Sequence, residues 1–194
     1  MPRFDIFPRM VRSPVEICFG TSPSQAAKSR PFENTSPVPI AATVAGRLAF
    51  GFGITPKAAL VSHSSFGASD SASARKMRRA LGLIRERAPG LEIDGEMHAD
   101  AALVQTIRDA AVPDSKLTGT ANLLIMPNLD AANIAFNLLR AAADGLPIGP
   151  MLLGMTKPIH VVVPSVTARG IVNLSALAVM EAQAVSGAAG TKIR

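Results

Sequence analysis

From residue 57 onward, short apolar runs alternate with longer amphipathic stretches, and this constrains the fold more than any other feature of the chain. Residues 57–62 carry Ala-Ala-Leu-Val between Pro56 and a serine-rich loop, the pattern of a buried strand. Ser71 stands where it can cap a helix over Ala72–Arg87, with Ala80, Leu81 and Ile84 on one face and cations opposite, ended by Pro89-Gly90. Residues 91–97 then predict a strand, 99–110 a helix, 123–126 a strand, and 130–143 a helix. Two further strands are expected at 146–153 and 159–163, an alanine-rich closing helix at 171–186, and a short helix at 40–52 ahead of Pro56. Such alternation predicts an α/β fold, an α/β/α sandwich around a mainly parallel sheet.

The first forty residues are different. Pro2, Pro8, Pro14, Pro23, Pro31, Pro37 and Pro39 leave no sustained period of 2 or 3.6, because each proline removes a donor and restricts its predecessor. An irregular extension over 1–40 and a folded domain over 41–190 are therefore expected. No uninterrupted apolar core follows the basic start, as a secretory signal would require.

Composition narrows the function class. Of 194 residues, 48% are hydrophobic and 18% charged, which suits a packed core rather than a disordered tail. The net charge of +6 raises the question of nucleic acid, but there is no Trp or Tyr to stack on bases. The charge is also evenly spread, with six Lys/Arg against three Asp/Glu in residues 1–53 and fourteen against eleven in the remainder. Neither a nucleic-acid partner nor a membrane is expected. Cys18 is alone, so no internal disulfide and no zinc site are expected, and a reducing cytoplasm fits best.

Three loops fall at the carboxyl ends of predicted strands, where open α/β sheets bind ligands. In the first, Ser62, Ser64, Gly67 and Ser69 offer hydroxyls and backbone donors to an anion, although serine-rich loops also serve simply as turns and caps. The second holds Asp94, Glu96, His98 and Asp100, a pattern open to acid–base or metal chemistry or to a turn and helix cap. The third contains Asn128 and Asn133, which can read a polar ligand or cap the following helix. His63 and His160 are isolated, and a structural role is expected for each.

Taken in order, these stretches carry a resemblance. Leu60-Val61-Ser62-His63-Ser64, the segment Asp94 to Ala102, the segment Ala121 to Ile134, and Ile148-Gly149-Pro150-Met151-Leu152-Leu153-Gly154-Met155-Thr156-Lys157-Pro158 stand at family spacing. The chain from about Pro56 to Gln183 resembles the phosphate acetyl/butyryltransferase family, most closely the version fused behind the catalytic half of NADP-dependent malic enzymes. The resemblance implies the second lobe of a two-lobed acyltransferase-type fold, with most of the first lobe missing, so the chain reads as truncated. It further implies CoA or acetyl-CoA as substrate or effector, acetyl phosphate as the other reactant, no bound cofactor, and a homo-oligomer formed through this lobe. Lys157 and Arg169 join Asn128 and Asn133 as ligand-binding candidates near the cleft.

The same resemblance counts against catalysis. In active transferases the segment after Lys-Pro reads Val-Asn-Asp-Leu-Ser-Arg-Gly, with an Asp six residues after that Arg. Aligned without gaps, Val163 stands for the serine, Pro164 for the arginine and Gly170 for the aspartate. No catalytic residue is assigned. The expectation is a domain that binds acetyl-CoA with weak or no transfer chemistry; the alternatives are an active transferase that needs a partner chain, and a structural dimerisation module.

Overall fold

The computed structural model describes residues 16–19, 38–51, 53–142, 148–149, 151–152, 155, 157–162, 164 and 166–190. In chain order the elements are β1 (Glu16–Phe19), α1 (Val38–Gly51), β2 (Lys57–Val61), α2 (Ala72–Arg87), β3 (Glu92–Met97), α3 (Ala99–Leu103), α4 (Gln105–Ala111), β4 (Leu123–Met126), α5 (Leu129–Ala142) and α6 (Ala168–Gly190). The strands form one parallel sheet in the order β1-β4-β2-β3.

Both faces of the sheet are covered, which is why its central strands β2 and β4 read as continuous apolar runs. Ala58, Leu60, Leu123 and Ile125 pack with Ala42 and Ala45 of α1 and with Met77, Ala80 and Ile84 of α2. The alternate residues Ala59, Val61, Leu124 and Met126 pack with Ala101 and Ala102 of α3 and Ala132 of α5. The expected α/β/α sandwich is present. Ser71 caps α2 as expected, accepting from Ala74 N at 3.2 Å.

Four local expectations are corrected. Residues 16–19, expected to be irregular, form β1 and extend the sheet beside β4, pairing Glu16 with Leu123 and Phe19 with Met126. Helix α1 begins at Val38, inside the expected extension; the remainder of 1–37 lies outside the described residues. The single helix expected over 99–110 is two, broken at Val104, whose φ of −119° and ψ of 107° are extended. Arg108 explains the break: fully buried, it donates to Ala101 O at 2.9 Å and Leu117 O at 3.1 Å, so α4 folds back and satisfies a terminal carbonyl of α3. The strands expected at 146–153 and 159–163 are not formed by the described residues there, 148–149, 151–152 and 159–162.

The carboxyl-terminal third carries much exposed apolar surface. On α5, Leu129, Ile134 and Leu138 are each 60% or more exposed, and Ala132 is its buried residue. Helix α6 touches α1 and buries Leu174, while Ile171, Val172, Val179 and Met180 stay exposed. Along its inner side Leu174 is buried and Leu177 and Ala178 are half-buried, while Ile171 is open. No described helix is long and apolar enough to cross a membrane.

Candidate functional site

The site is built from a bulge in β3. Leu60 of β2 stands opposite Gly95, and the next pair is Val61 opposite Met97, so Glu96 is an extra residue on its strand. Glycine is required beside it: at φ +137° a Cβ would lie 2.6 Å from Leu60 O. A bulge re-aims a side chain, and this one turns the Glu96 carboxylate into the loop that follows β2.

That loop is shaped around the carboxylate. Glu96 is 0% exposed, and its Oε1 accepts from Ser64 Oγ at 2.7 Å, Gly67 N at 3.0 Å and Arg78 Nη1 at 2.8 Å. Its backbone oxygen accepts from Phe66 N at 2.7 Å. Ser69 N donates to Ser64 Oγ at 3.0 Å, and Ser64 N to Ser62 Oγ at 3.2 Å. The His63 ring lies 3.3 Å from both the Ser69 and Ser71 hydroxyls. Glu96 Oε2 is buried with no partner among the described residues.

Ser62, Ser64, Gly67 and Ser69 are thus brought together in one loop. Ser64 is buried and supports it from beneath, while Gly67 is exposed at its surface. Asn128 Oδ1 accepts from Ala131 N at 2.9 Å and caps α5. Asn133 lies on the exposed side of α5, where Asn137 Nδ2 donates to its side chain at 3.0 Å. Lys157 sits in an exposed bend, and Arg169 is exposed at the start of α6. Among the described residues, no hydrogen bond ties Asn133, Lys157 or Arg169 to the serine loop.

The four acid–base candidates do not form one cluster. Asp94 is a strut: its oxygens accept from Arg85 Nη2, Gly95 N, Ser115 Oγ and Lys116 N at 2.7–2.9 Å, fixing the 115–116 loop to β3. Glu96 serves the opposite neighbour, the serine loop. His98 Nε2 lies 2.9 Å from His63 O, and exposed Asp100 accepts from Ala101 N at 2.8 Å. Among the described residues no three His, Cys, Asp or Glu side chains could share a metal ion. His160 Nε2 lies 3.4 Å from Glu181 Oε2 of α6 without making a hydrogen bond to it.

Topology places a crevice at this edge of the sheet. Strands β2 and β4 are neighbours, yet α2 leaves toward one face of the sheet and α5 toward the other. Loops that part in this way leave a gap at the carboxyl ends of the strands, where ligands of open α/β sheets bind. In this sheet that position falls between the serine loop after β2 and Pro127-Asn128 after β4. Lys76 reaches across it, donating to Pro127 O at 2.6 Å. Sequence reasoning named neither Lys76 nor Arg78, although the cationic face of α2 was the available signal.

Comparison with known proteins bears on the family and the fold. Residues 38–179 match the family described as Phosphate acetyl/butaryl transferase. The NADP-dependent malic enzyme of Escherichia coli is 59% identical over 133 residues, which are 68% of this chain and 18% of that protein. The phosphate acetyltransferase of Paracoccus denitrificans is 40% identical over 126 residues, 65% of this chain and 40% of that one. Among solved structures, the EutD phosphotransacetylase from Staphylococcus aureus superposes with a TM-score of 0.72 at 30% identity, covering 75% of this chain and 46% of that one. The chain thus spans less than half the length of each of these relatives. With its fold and most of its length matched in this way, the chain belongs to the phosphate acetyl/butaryl transferase family.

Proposed function

We propose that this chain is a transferase-family domain of the malic-enzyme kind, which binds acetyl-CoA at the carboxyl edge of its sheet and transfers acetyl to phosphate weakly or not at all. Its higher identity to malic enzymes than to phosphate acetyltransferases supports the first part. The place of the serine loop and Pro127-Asn128 at the carboxyl edge of the sheet, with the α2 cations Lys76 and Arg78 reaching their backbone oxygens, supports the second.

One observation carries the loss of chemistry. A CoA thiol with a pKa of about 8.5 needs a base to take its proton, and the resemblance places an aspartate of active transferases at Gly170. In α6 a Cβ at that position would lie 2.9 Å from Val166 Cγ2 and 3.4 Å from Thr167 Oγ1. The space for a carboxylate-bearing side chain is taken by a short, stiff valine. Pro164, at the arginine's position, has no donor to steady developing charge on phosphate or carbonyl. Val163 lies outside the described residues.

The test is the full chain with acetyl phosphate and CoA, following thioester absorbance. No turnover above the uncatalysed rate is expected, and turnover near the ordinary enzymatic figure of about 10 per second would overturn the inactive half of the proposal.

A further inference from the structure

The serine loop ends at Asp70, and the first turns of α2 then present Arg75, Lys76, Arg78 and Arg79 around an open cavity of about 510 Å³. Cations three and four residues apart on a helix repel one another. One carboxylate offsets that repulsion: Asp70 Oδ2 pairs with Arg75 Nη1 at 2.9 Å, and Asp70 Oδ1 with Arg78 Nη2 at 3.2 Å. The Asp70 side chain is 81% exposed, so solvent screens both pairs and the carboxylate can swing away at little cost. Arg78 would stay in place without it, held by Glu96 Oε1 at 2.8 Å and Ser69 O at 2.9 Å. Lys76, spanning the crevice to Pro127, sets the same cavity at the mouth of the site.

We infer that this cationic shelf is a subsite for a phosphate group, and that Asp70 is a stand-in anion displaced when a phosphate-bearing ligand arrives. Two guanidinium groups gripping the two oxygens of a carboxylate can grip two oxygens of a phosphate in the same way. A phosphomonoester brings nearly two charges where Asp70 brings one. The inference deepens the acetyl-CoA proposal, because CoA carries a phosphomonoester and a diphosphate remote from its thioester. It rests on that proposal for the identity of the ligand.

The test is calorimetric titration of the full chain, at fixed ionic strength, with inorganic pyrophosphate and separately with acetyl-CoA. Arg75→Ala should weaken pyrophosphate binding about tenfold, as loss of a charge-assisted hydrogen bond does. Asp70→Asn should strengthen it severalfold, because the internal competitor is gone. An ion pair with only a structural role would move the melting temperature in both variants and the affinity in neither. Equal pyrophosphate affinity in wild type and both variants, or none in any of them, overturns the subsite. The predicted pyrophosphate pattern without acetyl-CoA binding upholds the subsite and overturns the acetyl-CoA proposal. Acetyl-CoA binding that neither substitution changes, with pyrophosphate affinity equally unmoved, does the reverse.

Discussion

Replacing Glu96 isolates the contribution of one buried carboxylate to the shape of the candidate site. Glu96→Ala removes the acceptor of Ser64 Oγ, Gly67 N and Arg78 Nη1 together. The three losses are unequal. Gly67 is exposed and water can reach its amide, and the Arg78 side chain is 32% exposed, so both recover part of what they lose. Ser64 is buried and recovers little. An unsatisfied buried donor costs about 1–3 kcal/mol, and with the screened Arg78 pair added the sum is about 3 kcal/mol. For a chain of this length that lowers Tm by about 6–12 °C. Glu96→Gln keeps an oxygen for Ser64 and Gly67 and gives up only the charge, so about 1 kcal/mol is expected. Thermal melts followed by circular dichroism rank the two, and amide exchange at Gly67 and Ser69 should quicken in Glu96→Ala first. Glu96→Ala within about 1 kcal/mol of wild type, or Glu96→Gln as damaging as alanine, would refute the reasoning.

Gly95→Ala places a Cβ 2.6 Å from Leu60 O at φ +137°, so backbone strain of up to about 3 kcal/mol adds to a clash; a wild-type melting temperature would contradict the bulge. Arg108→Met strips the donors from the Ala101 and Leu117 carbonyls, and a loss of about 3 kcal/mol should appear as a lower urea midpoint, where an unchanged midpoint would show these bonds to be dispensable. Leu129, Ile134 and Leu138 on α5, with Ile171, Val172 and Val179 on α6, expose enough apolar surface to drive association. Light scattering should give a mass above 20.2 kDa that rises with concentration, and a monodisperse monomer that binds no hydrophobic dye would show that this surface is covered.

The sheet was legible where local signals agree. The apolar runs of β2 and β4 are buried on both faces, so their hydrophobicity is continuous, and Ser71 marks the start of α2 through its own side chain. β1 was not legible, because Glu16-Ile17-Cys18-Phe19 is too short to show a period and its partner, β4, lies more than a hundred residues away. The break at Val104 depends on Arg108 reaching carbonyls in other segments, and no neighbour of Val104 signals that. At the site, the serine loop could be found from its composition, but the role of Glu96 could not. The one clue was a glycine inside a strand pattern, which signals a bulge; which way the next side chain turns is settled by Ser64, Gly67 and Arg78, the distant donors that receive it. The apolar runs at 146–153 and 159–163 predict strands that the described residues there do not form, because an apolar run alone does not supply a neighbouring strand to pair with.

Acetyl-CoA binding is the claim on which the rest of the account depends, and calorimetric titration of the full chain tests it without any catalytic turnover. The expected result is saturable binding of acetyl-CoA that weakens as salt is added, since cations of α2 line the site, together with weaker binding in Glu96→Ala than in Glu96→Gln. No heat of binding from a chain that melts cooperatively, or binding indifferent to both salt and Glu96, would contradict a ligand site at the carboxyl edge of this sheet.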